Sequence, residues 1–170
     1  MPRLFGKKSQ PTDSRRQVLD DLVKAQMYLI NARKSVRNSM VRLRAYSKED
    51  ELKQMEDTLN ALDWLLEWAL LKVQTLITVG LVNWREVATV MNVVKKVMQE
   101  YSYLDPRIEE EISGAEESLS RAWMNIEPSL PEEFSERDLM SIEEEAKKVI
   151  KEAESVAKSR GGANTLASQQ

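Results

Sequence analysis

The sequence predicts an all-α protein: a long antiparallel two-helix hairpin followed by three shorter helices, elongated in shape. The first ground is composition. Five Gly, five Pro and 6% aromatic residues leave little material for sheets and their turns, while Leu, Val, Glu, Lys, Ala and Met favour helices. The second is periodicity, a heptad pattern of apolar residues sustained along the first half of the chain. The third is punctuation, because helix-start and helix-break signals fall between the periodic runs.

The segment PTDSRR at 11–16 reads as a helix start, with Thr12 or Asp13 as N-cap after Pro11. Val18, Leu22, Ala25, Leu29, Ala32, Val36, Ser39, Leu43 and Tyr46 then alternate at four- and three-residue spacing. From Asp13 to Tyr46 this helix would be roughly 50 Å long. Ser47-Lys48-Glu49-Asp50 offers a variant capping box and a tight turn. The seam resumes at Leu52, Met55, Leu59, Leu62, Leu66, Ala69, Val73 and Leu76, up to Gly80. Two heptad helices joined by a short turn bury their stripes against each other only if they run antiparallel. Each buried seam side chain contributes about 1.5–3 kcal/mol as an upper estimate.

Gly80 is a candidate hinge, able to end the second helix or to admit a bend. Trp84, Val87, Met91, Val94, Met98 and Tyr101 mark a third amphipathic helix that stops before Asp105-Pro106. Ile108, Ile112, Ala115, Leu119, Ala122 and Ile126 mark a fourth. Pro128 and Pro131 break the pattern and predict an extended linker. Ser135-Glu136-Arg137-Asp138 starts a fifth helix with apolar positions at Leu139, Ile142, Ala146, Val149, Ile150, Ala153 and Val156. The chain thus divides into a basic and apolar segment 1–12, a helical core 13–126, a linker 127–134, an acidic helix 135–160 and a frayed tail 161–170.

Cys and His are both absent. That removes disulfides, thiolate chemistry, most zinc sites and the usual general base. With no Walker-type glycine loop either, a non-enzymatic protein without cofactor or metal is expected. No apolar run approaches the roughly 20 residues that span a bilayer, and MPRLFGKKSQ lacks the apolar core of a secretory signal. A cytoplasmic protein is the expectation.

Charge is unevenly distributed. Residues 1–48 carry 12 Lys/Arg against 3 Asp/Glu, whereas residues 105–157 carry 6 against 16. A basic head of this kind attracts anionic lipid, nucleic acid or the protein's own acidic tail. Arg15, Arg33, Arg37 and Arg44 fall on one flank of the first seam, with Arg16, Lys34 and Lys48 further round. Met1, Leu4 and Phe5 among Arg3, Lys7 and Lys8 have the make-up of a short membrane anchor. Nucleic acid is not expected, because no aromatic residues interleave the cations. The acidic residues Glu109, Glu110, Glu111, Glu116 and Glu117, with Glu143, Glu144 and Glu145, lack the Glu-x-x-His pairing of a di-metal bundle. Folding back on the basic first helix is the expected role. Trp64, Trp68 and Trp84 suit either a core or a subunit contact.

The stretch from Ala61 to Leu119 resembles the ESCRT-III family, in particular the archaeal cell-division (Cdv) paralogues. The similarity is carried by Gln74-Thr75-Leu76-Ile77-Thr78-Val79-Gly80-Leu81-Val82, by Val93-Val94-Lys95-Lys96-Val97 and by Pro106-Arg107-Ile108-Glu109-Glu110-Glu111-Ile112. With the basic first helix and Leu4-Phe5-Gly6-Lys7, it covers residues 5–126. Ala88-Thr89-Val90 stands where the family usually has a proline, which implies a straighter third helix. The chain ends soon after the fifth helix, leaving no room for the winged-helix module of one archaeal paralogue.

The resemblance implies a filament subunit that assembles with itself and with paralogous subunits on anionic membrane. It would lie at the inner face of the membrane and help constrict it in division or vesicle budding. It further implies a closed and an open form, with Glu143, Glu144 and Glu145 in an autoinhibitory helix. Pro128, Leu130 and Pro131 resemble the segments by which the family docks on the MIT domain of its AAA-type disassembly ATPase. A coiled-coil scaffold without membrane activity is the alternative expectation, and a helical nucleic-acid-binding protein a weaker one.

Overall fold

A computed structural model describes the backbone of residues 2–46, 48–80, 83–101, 103–130 and 135–169, and side chains between 14 and 159 within those ranges, apart from 129. The described elements are α1 (Pro2–Tyr46), α2 (Glu49–Val79), α3 (Trp84–Tyr101), α4 (Pro106–Ile126), a 3-10 turn (Glu127–Ser129) and α5 (Glu136–Gln169), so the protein is all-α among the described residues.

The two heptad seams are buried. Val18, Leu22, Ala25, Leu29, Ala32 and Val36 on α1, and Leu59, Leu62, Leu66, Ala69, Val73 and Leu76 on α2, all lie in one core. Contacts between these helices fix their sense: Arg44 meets Glu56, Arg33 meets Asp63 and Glu67, and Arg15 meets Gly80. Numbers that rise along one helix as they fall along the other mean opposite directions. The same holds for α1 and α4, where Asp21 meets Arg121, Ser35 meets Glu111 and Ser39 meets Asp105.

Helices α1 to α4 each pack on the next, and α4 returns to α1, which it covers more extensively than α2 does. Short connections make antiparallel neighbours in this way. The result is a closed ring of four helices. Helix α5 lies outside it, on α2 and α3. Covered from three directions, α3 is buried around most of its circumference, from Val87 to Val94 and on to Val97 and Tyr101.

The termini of the elements depart from the sequence reading in several places. α1 begins at Pro2, not at Thr12 or Asp13, and runs through Pro11. The missing N–H of Pro11 removes one helical hydrogen bond without ending the helix. At the start of α2 the N-cap is Lys48, with no side-chain cap, and Ser47 lies outside the described residues. α5 extends to Gln169 where a frayed tail is predicted; nothing in the described side chains accounts for helix through Gly161 and Gly162. Part of the predicted extended linker is a 3-10 turn at Glu127–Ser129.

Other signals act as read. Gly80 ends α2 in the left-handed conformation, with φ 68° and its N–H bonded to the Leu76 carbonyl. Asp105 caps α4 by accepting from the Arg107 N–H, with Pro106 at the first turn. At the start of α5 the Asp138 carboxylate accepts from the Ser135 N–H at 3.0 Å, one half of a capping box.

Candidate functional site

Helix α1 is held along two flanks. On the first, Arg33 donates to Asp63 at 3.2 Å and lies 3.5 Å from Glu67. Arg44 donates to Glu56 at 2.8 Å. The Arg15 guanidinium donates to the Gly80 carbonyl, a free acceptor at the C-terminus of α2. On the second flank, Ser35 donates to Glu111 at 3.0 Å, Arg42 lies 3.5 Å from Asp105, and Arg121 lies 3.5 Å from Asp21. The Tyr28 ring rests on α4 where Gly114 has no side chain; a Cβ there would come within 2.5 Å of it.

What remains is a solvent face between the flanks. At 100° per residue Arg16, Val23, Met27, Lys34 and Val41 fall within a sector of about 40°, with Lys24 and Arg37 at its edges, within about 140° in all. Val23 is 42%, Met27 60% and Val41 67% exposed. Arg16, Lys24, Lys34 and Arg37 are exposed and form no ion pair among the described residues, and Asp20 is the acid among them. The face is therefore cationic, with apolar side chains interspersed.

This arrangement redistributes the basic stripe read from the sequence. Of Arg15, Arg33, Arg37 and Arg44, three bond to α2 and Arg37 forms no ion pair among the described residues. The opposite side of the wheel, with Val23, Met27 and Val41, was missed by a reading centred on the seam. Its signal was present as spacings of seven and four through residues 16, 23, 27, 34 and 41. Met1 lies outside the described residues, as do the side chains of Arg3, Leu4, Phe5, Lys7 and Lys8.

The acidic tail does not fold back on α1. Helix α5 makes no contact with α1 among the described residues, and Glu143, Glu144 and Glu145 are exposed. The reason is apolar: Ile142, Ala146, Val149, Ile150 and Ala153 bury α5 elsewhere, on α2 and α3. Within the acidic half of the chain, the carboxylates that meet α1 are Glu111 of α4 and its cap Asp105. Glu116 bonds within α4 to Ser120 and lies 4.0 Å from Lys95 of α3.

Trp64, Trp68 and Trp84 are half-buried and packed against the core. Lys72 stands over the Trp68 ring at 5.8 Å, and Arg85 over that of Trp84 at 5.3 Å. Arg85 donates to Asp138 at 2.8 Å, tying the start of α5 to α3. The Ser135 N–H, then the Ser135 hydroxyl and Arg85, hold the Asp138 carboxyl below its ordinary pKa of 3.8. Burial, with Glu100 and Glu154 nearby, pushes the Tyr101 phenol up to about 12. Leu130 packs on the core while Pro128 is exposed; Pro131 lies outside the described residues.

No helix among the described residues is long and apolar enough to cross a membrane. No family model, curated protein or solved structure matches the chain.

Proposed function

We propose that the chain is an ESCRT-III-like subunit that polymerises on anionic membrane and helps constrict it, without enzymatic activity of its own. One observation carries this reading: the solvent face of α1, where cations with no ion pair among the described residues surround exposed Val23, Met27 and Val41. Cations near an anionic surface contribute about 1 kcal/mol each, and interspersed apolar side chains add area that enters the headgroup region. Such binding is reversible for one subunit and strong for an array.

In this reading the ring of four helices with α5 outside is the closed form. The α1–α2 hairpin becomes the elongated filament unit when α4 and α5 leave it. Paralogous subunits join at the inner face of the membrane, and an AAA-type ATPase engages the segment around Pro128, Leu130 and Pro131 to recycle them. α5 acts as a brake by sealing α3, a correction to the charge-based brake on α1.

Co-sedimentation with anionic vesicles tests the face directly. Reversing Arg16, Lys34 and Arg37 to Glu is expected to weaken binding at least about a hundredfold, from about 1 kcal/mol per cation. Reversing the exposed Lys147, Lys148 and Lys151 of α5 should leave binding within a few-fold of the parent. Equal effects from both triplets would refute the face. A plain scaffold would ignore vesicles, and a nucleic-acid binder would take duplex with a steep salt dependence and no lipid preference.

A further inference from the structure

The open face of α1 points away from the core. With buried Val18 and Val36 marking the inward direction, the sector of Arg16, Val23, Met27, Lys34 and Val41 lies about 140–180° round the helix from them. The neighbours occupy the sides. Arg15, Arg33 and Arg44 reach α2 at about 60–80° on one side, and Tyr28, Ser35 and Ser39 reach α4 at about 60–100° on the other. Among the described residues α1 packs on α2 and α4 alone.

Helix α5 is seated on the far side of the ring. Arg85 meets Asp138 at the start of α3, and Tyr101 at its end lies near Glu154, so the two helices run parallel over the whole of α3. Ile142, Ala146, Val149, Ile150, Ala153 and Ala157 are buried in that seat. Helices α1 and α3 share no contact among the described residues, which makes them diagonal in the ring. α5 therefore sits two helix layers, roughly 15–20 Å, from α1. That exceeds the Debye length of about 8 Å at physiological ionic strength. The exposed Glu143, Glu144 and Glu145 neither cover the cations of α1 nor repel an anionic surface lying against them.

A switch that hid the membrane face would lay an acidic or apolar element across α1. Here the restraining helix and the face belong to different sides of the molecule. We infer that the cationic face of α1 is competent in the closed form, so that adsorption on anionic membrane precedes the release of α5 and does not depend on it. The inference rests on the membrane reading proposed above and sets its order of events. A closed subunit lying on α1 holds α5 away from the bilayer, where its release meets no obstacle from the surface. Adsorption also gathers subunits before any has opened, which raises their effective concentration for assembly. Release of α5 is then the later step, and it admits polymerisation alone.

The full-length chain with α5 covalently held shut tests this. The sequence has no Cys, so Arg85→Cys/Asp138→Cys places two thiols where the parent side chains meet at 2.8 Å. A short bismaleimide joins them, and the same variant with both thiols capped by N-ethylmaleimide is the unlinked control. Hydrogen exchange verifies that residues 142–157 stay protected in the linked form on vesicles. Co-sedimentation with vesicles of mixed phosphatidylcholine and phosphatidylserine, against phosphatidylcholine alone, reads binding at protein densities below the onset of filaments. Linked and capped chains should bind the anionic vesicles within a few-fold of each other. At higher density the capped chain should form filaments and the linked chain none. Arg16→Glu/Lys34→Glu/Arg37→Glu should weaken the linked chain at least about a hundredfold. A linked chain that binds tenfold or more weakly than the capped one would overturn the inference and leave the membrane reading standing. Filaments from the linked chain would overturn it too, since no later step would remain. If neither form binds, the membrane reading falls and this inference with it.

Discussion

Leu29 and Leu62 are fully buried at the centre of the α1–α2 seam. Truncating either to Ala should cost about 2–5 kcal/mol, the range for leucines whose surroundings relax only partly. Calorimetry should then show a fall in Tm of several degrees or more, since about 1 kcal/mol moves a domain of this size by roughly 2–4 °C. Two glycines make separate demands. At Gly80 a Cβ meets no atom within 4 Å but φ is 68°, so Gly80→Ala should cost about 1–2 kcal/mol through backbone strain alone. At Gly114 the obstacle is the Tyr28 ring, 2.5 Å from the added carbon. Gly114→Ala should therefore be coupled to Tyr28, and Tyr28→Ala should absorb most of its effect in a double-mutant cycle. The turn at Gly80 was legible because Gly ends a periodic run there; the Gly114 contact was not, because nothing local says which ring will arrive from a helix far away in sequence.

The helices themselves were written in the spacing of their apolar residues. The four-and-three alternation through Leu22 and Leu29, and through Leu62 and Val73, gave α1 and α2 their buried stripes, and the Asp105-Pro106 step gave α4 its start. Partner choice was less legible. Charge suggested that α5 would seek α1, but Ile142, Ala146 and Val149 bury it on α2 and α3 instead. Exposed ion pairs contribute about 0–1 kcal/mol, whereas each buried aliphatic side chain contributes more, so apolar complementarity decides the docking. One charged tie remains at the start of α5, where Asp138 caps Ser135 and meets Arg85. Its pKa is depressed in the folded chain. The contribution is thus complete above the ordinary carboxylate pKa of 3.8 and is lost as pH falls through the depressed value. Hydrogen exchange should show residues 136–146 losing protection at acid pH before α1 and α2 do, and Asp138→Asn should bring that loss to neutral pH. At the other extreme, the Tyr101 phenol titrates near 12 against 10.0 when exposed, so its contribution is intact below pH 10 and fades as pH rises towards 12. Tyrosinate absorbance should show a late component from Tyr101, and Tyr101→Phe should abolish it.

In the whole molecule, the ring of α1 to α4 leaves one long cationic and apolar face of α1 open while α5 seals α3. The asymmetry of charge along the chain pointed to α1, but its working residues were only partly legible. Arg15, Arg33 and Arg44 turn inward to α2 because the acids and the free carbonyl on that helix come level with them. Which cations are left over depends on that register, a property of two helices together. In the filament subunit we propose, the leftover set of Arg16, Lys24, Lys34 and Arg37 would do the surface binding and α5 would restrain assembly. Co-sedimentation of the whole chain, and of a chain ending at Ile126, with anionic and neutral vesicles, followed by negative-stain imaging of the pellet, tests this most directly. The account predicts pelleting with anionic vesicles only, filaments on their surface, and stronger assembly in the shorter chain. Equal pelleting with neutral vesicles, or no pelleting and no polymer from either chain, would contradict it.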